Sequence, residues 1–151
     1  LRTGLRGFGV FVACMALAQV LTAQAGAKHY RSTHEHFTEY ASMASDLFLS
    51  TDDPAGKNTL GLLAATSNFF AERAYMVMML TDILENITSP QDRAYVERRI
   101  QEIKEFVLGN LGPEIKRVGD LTMSQENKDI KSLGNLIVNE LRVFERNTGN
   151  L

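Results

Sequence analysis

Apolar residues recur at helical spacing in four separate stretches of this chain, and nowhere do they alternate as a half-buried strand requires. The pattern predicts an all-α fold. The first stretch opens at Ser32-Thr33-His34-Glu35, a capping box, and runs to about Ser50 with Phe37, Tyr40, Ala41, Ala44, Leu47 and Phe48 on one stripe. Thr51 to Lys57 reads as a turn-rich loop, and a second, more apolar helix is expected from about Thr59 to Asn86. Ser89-Pro90-Gln91-Asp92 then supplies an N-cap, a proline at the first helical position and an acid facing the positive dipole end. The helix it starts carries Val96, Ile100, Ile103, Val107 and Leu111, and Gly109, Gly112 and Pro113 are expected to end it, with a short helical piece from Pro113 to Asp120. The last helix starts near Ser124, buries Ile130, Leu133, Ile137, Leu141 and Phe144, and stops around Gly149. Short loops between long amphipathic helices favour an antiparallel up-down-up-down four-helix bundle.

The bundle is expected to follow an N-terminal signal peptide. Arg2 and Arg6 precede the apolar run Phe8 to Ala18, and Ala23-Gln24-Ala25 forms a small-residue cleavage site. The run falls short of the roughly 20 apolar residues a membrane span needs. Residues 1–25 are therefore assigned to the leader and 26–151 to one helical domain. The sole cysteine, Cys14, lies inside the leader and is followed by further apolar residues, so a lipid-modified cysteine does not fit. Cleavage leaves no cysteine, hence no disulfide and no thiolate chemistry. Losing Arg2 and Arg6 from the 16 Lys and Arg leaves 14 against 18 Asp and Glu, a net charge of −4. Nothing in that balance favours nucleic acid. The expected location is the bacterial periplasm or the exterior, with no membrane span after cleavage.

Within the second helix, the run Asn68 to Leu80 sets an arginine among phenylalanines and methionines. At about 100° per residue, Arg73 falls amid Leu62, Leu63, Phe69, Phe70, Met76, Val77, Leu80, Leu84 and Ile87. In the last helix Glu140 falls similarly among Leu133, Leu136, Ile137, Val143 and Phe144. Equal heights in the bundle add Arg99, Tyr40 and His36, so a polar layer of Arg73, Arg99, Glu140, Tyr40 and His36 is expected across its middle. A buried charge needs a partner, which makes an Arg73–Glu140 ion pair the simplest reading. Alternatively Arg73 extends along its stem to the surface, or the two guanidiniums hold a small carboxylate or phosphate ligand.

Other constellations fail on spacing. His29, His34 and His36 crowd one helix start, but His29 and His36 stand about 10 Å apart along the axis, too far for one ion. They read as a solvated turn, and no metal site is assigned. Met76 is placed in the core, which argues against copper ligation, and Met78 and Met79 are placed with Tyr75 on an exposed patch suited to a partner or a dimer. No Cys-x-x-Cys-His or Glu-x-x-His occurs, so no cofactor is assigned. No catalytic residues or phosphate-cradling glycine loop can be nominated in 26–151, and Asn86-Ile87-Thr88 matches a glycosylation sequon too short to carry weight. The sequence thus points to an exported, non-enzymatic interaction, sensor or accessory module of the cell envelope, binding an unknown protein partner or a second copy. A bundle that binds a small anionic ligand is the alternative.

Overall fold

The computed structural model describes residues 28–149, and the assigned leader, 1–25, lies outside them. The described residues form four helices: α1 (28–50), α2 (Pro54–Asn86), α3 (Pro90–Met123) and α4 (Lys128–Gly149). Each junction has a local cause. Asp53 caps α2, its carboxylate accepting from the amides of Ala55 at 3.2 Å and Gly56 at 2.7 Å, with Pro54 at the first turn. Ser89 and Pro90 repeat the device at α3, and Asn127 Oδ1 accepts from Asp129 N at 2.9 Å to start α4.

Four boundaries differ from the sequence reading. The last helix starts at Lys128, behind the Asn127 cap, and not near Ser124, which instead ends α3. Residue 28 is already helical, so Ser32 and Glu35 lie inside α1 and form no capping box. α2 begins at Pro54 because Asp53-Pro54 is a cap rather than a turn. Finally, α3 runs unbroken through Pro113 to Met123. The residue before that proline is Gly112, which has no Cβ for the proline ring to meet. Gly109, whose carbonyl loses its helical donor, and Pro113 are both exposed, so the freed group is open to solvent.

Contacts between the helices are consistent with an up-down bundle. Lys57, early in α2, lies over the ring of Phe48, late in α1. Thr59 accepts a hydrogen bond from Gln125, just past α3, while Arg73 and Arg99 meet toward the opposite ends of α2 and α3. The core centres on Phe37, Phe70 and Phe144, each fully buried, whose ring centroids lie 5.8 to 6.3 Å apart. Around them pack Leu60, Leu63, Leu111, Leu133, Ile137 and Leu141. Helices α3 and α4 approach closely at Gly134, where a Cβ would lie 2.9 Å from Cβ and Cγ2 of Thr122.

The histidines are where the structure departs most from a solvated turn. One fastens α1 to α2 and two fasten it to α4. His34 Nδ1 meets the Ala71 carbonyl on α2 at 3.0 Å, and His36 Nδ1 meets Glu140 on α4 at 3.1 Å. His29 Nδ1 accepts from Asn147 Nδ2 at 3.0 Å, which leaves its proton on a buried, unpartnered Nε2 between Tyr30 and Phe144. Burial holds the His29 imidazole below its ordinary value of 6.5. The unfolded chain then binds a proton that the folded chain refuses. His29 is thus compatible with full stability above about pH 6.5 and removes stability as pH falls below it. His29→Gln should shallow the loss of urea stability between about pH 7 and pH 5; an unchanged slope would place the acid sensitivity elsewhere.

Candidate functional site

The site is built on α2, a helix that is apolar on nearly every side. Its buried residues are mostly small: Gly56, Thr59, Thr66, Ser67, Ala71 and Ala74, with Leu60, Leu63, Phe70, Val77 and Met78 between them. That face lies roughly a quarter turn from the centre of the larger apolar residues. The displaced residues look outward. Leu62, Met76 and Ile83 are 42%, 41% and 45% exposed, and Phe69 is half-buried against Phe106 of α3 at 6.0 Å. They fall seven residues apart, on one stripe.

This rotation decides the fate of the expected polar layer. Arg73 stands at the edge of the core face, toward α3, and forms no ion pair with Glu140. Its guanidinium pairs with Glu72 at 2.9 Å and lies 4.1 Å over the ring of Phe69. Glu140 likewise sits at the edge of the α4 core face and is held by His36. Two polar groups therefore replace one layer. His36, Tyr40 and Glu140 meet between α1 and α4, with the His36 and Tyr40 rings stacked at 6.4 Å. Burial, then repulsion from Glu140 and Glu39, raises the Tyr40 phenol above its ordinary range. Arg73 and Arg99 meet between α2 and α3, in a groove of about 330 Å³ that Met76, Glu102, Ile103 and Phe106 complete. Arg99 is itself paired with Glu102 at 2.6 Å.

A surface pair and one cation–π contact each contribute at most about 1 kcal/mol. Arg73→Met should accordingly cost the fold about 2 kcal/mol or less in urea unfolding, whereas a loss of about 3 kcal/mol or more would mean a buried pair after all.

The expected surface patch is also redrawn. Met78 is buried, packed in the core with Val77 and Ala74, because it lies on the α1-facing side of α2. Tyr75 and Met79 are exposed at 44% and 38%, Tyr75 against the His34 ring at 5.2 Å. Met76, assigned to the core from its neighbours, is outside. A third polar cluster is absent from the sequence reading: Arg117 pairs with Glu114 on its own helix at 2.7 Å and donates to Thr66 Oγ1 across the α2–α3 seam at 2.6 Å. Its only trace in the sequence is Glu114 three residues before Arg117, a spacing common on any helix surface.

Among the described residues, no group of three His, Cys, Asp or Glu side chains could hold a metal ion. None of their helices is long and apolar enough to cross a membrane. No family model, curated protein or solved structure matches the chain.

Proposed function

We propose that this chain is an exported, non-enzymatic interaction module: an antiparallel up-down-up-down bundle, freed by cleavage after Ala25, that works in the periplasm or outside the cell as a sensor or accessory protein. One observation carries the reading. The outer face of α2 keeps Leu62, Met76 and Ile83 exposed in one row, with Phe69 half-buried between the first two and Tyr75 and Met79 beside them. The other helices cover the core face of α2 and only part of this stripe, so apolar surface is left over for a partner. The polar groups nearby are already paired with one another, which suits a binding face better than a reaction centre.

Native mass spectrometry of the protein purified from its own cell envelope tests this. The expected species starts at Gly26 and retains a second polypeptide, which Met76→Glu removes without changing helical content. A lone chain under all gentle conditions would contradict the reading.

A second reading rests on the groove shared by Arg73 and Arg99. Two guanidiniums at one mouth suit a small carboxylate or phosphate, although Glu72 and Glu102 now occupy them. Retained mass of a few hundred daltons, lost on Arg73→Met, would favour that reading.

A further inference from the structure

We propose that the partner of the α2 face is a second copy of this chain, packed in parallel about a two-fold axis that runs along α2. This rests on the interaction reading above and names its occupant. From Leu62 to Ile83 the stripe rises about 31 Å, three heptads with one exposed or half-buried apolar residue at each step. A two-fold axis parallel to the helices sets each of these residues beside its own counterpart. Apolar then meets apolar once in every seven residues, as a self-complementary two-fold contact requires.

Charge selects the orientation. Glu72 and Arg73 are consecutive residues, so they flank the stripe on opposite sides, about 100° apart. Glu72 is 70% exposed, and Arg73 shares its groove with Arg99. In a parallel pair opposite flanks meet: Glu72 of each copy approaches Arg73 and Arg99 of the other. In an antiparallel pair like flanks meet, and Arg73 would confront Arg73. The first arrangement exchanges a pairing within one helix for one between copies; the second places like charges together at the interface, which is unfavourable.

Sedimentation equilibrium and single-cysteine cross-linking test the proposal, in a Cys14→Ser background so that no native thiol competes. The wild-type chain should dimerise at micromolar concentration, and Met76→Glu should weaken that at least tenfold while circular dichroism shows the helices intact. Leu62→Cys alone and Ile83→Cys alone should each form a disulfide-linked dimer on mild oxidation. Cross-linking only when the two variants are mixed would overturn the parallel arrangement. A monomer at every concentration would overturn the dimer. If the monomer nevertheless holds a different protein through Met76, the interaction reading stands and only its occupant is wrong.

Discussion

Phe144→Ala is expected to lower the stability of the bundle by about 3–5 kcal/mol, the largest effect of any single truncation here. Phe144 is fully buried and touches four other rings: His29, Tyr30, Phe37 and Phe70. Removing it opens a cavity where α1, α2 and α4 converge, and the surrounding aromatics are too stiff to close over it. The same region already contains the buried Thr33 hydroxyl without a partner, a cost that the packing around Phe144 has to offset. Urea unfolding gives the number. Leu136→Ala, on the exposed side of the same helix, serves as the comparison and should cost well under half as much. Equal losses at the two positions would mean that the core is not where these contacts put it.

Gly134→Ala should destabilise the fold by about 1–3 kcal/mol, against the usual trend. Alanine in place of glycine inside a helix ordinarily gains about 1 kcal/mol. At Gly134 the new methyl would press on Thr122, whose hydroxyl donates to the Val118 carbonyl at 2.7 Å and fixes its rotamer. The neighbour cannot step aside, so overpacking outweighs propensity. Gly119 has open space where its Cβ would lie, and Gly119→Ala should be neutral or stabilising by the ordinary amount. Opposite signs for one substitution at two sites on adjacent helices would locate the close approach of α3 and α4. A gain at both positions would show that the two helices stand further apart.

The helices themselves are legible in the sequence because apolar spacing over twenty or more residues is a long signal. Their ends are less so. Ser89-Pro90 and Asp53-Pro54 carry the same physics, yet the second hides inside an aspartate- and glycine-rich stretch that also spells a turn. Pro113 looks like a stop, but a glycine before it and solvent around it remove both objections to a continuous helix.

The site was harder to read, for one reason. On α4 the small and polar residues mark the outside, so the wheel finds the core to within a fraction of a turn. On α2 the core face mixes Thr66, Ser67, Ala71 and Ala74 with Leu63, Phe70 and Val77, while Met76 and Leu62 look outward and Phe69 is only half-buried. A hydrophobicity average follows the larger side chains and points about a quarter turn away from the core. Arg73 then seems central when it is marginal, and Met76 and Met78 exchange places. That inversion is informative: large apolar residues on an outer face need a physical reason, and a binding partner supplies one.

The most direct test of that claim is site-specific photocross-linking in the producing cell, with a photoreactive residue at Leu62, Met76 or Ile83 in turn and at Lys131 or Asn135 on the exposed face of α4 as controls. The account predicts a discrete protein adduct from the three α2 positions and none from the controls. No adduct from α2, or equal adducts from both helices, would contradict it and leave the outer stripe of α2 as bare surface.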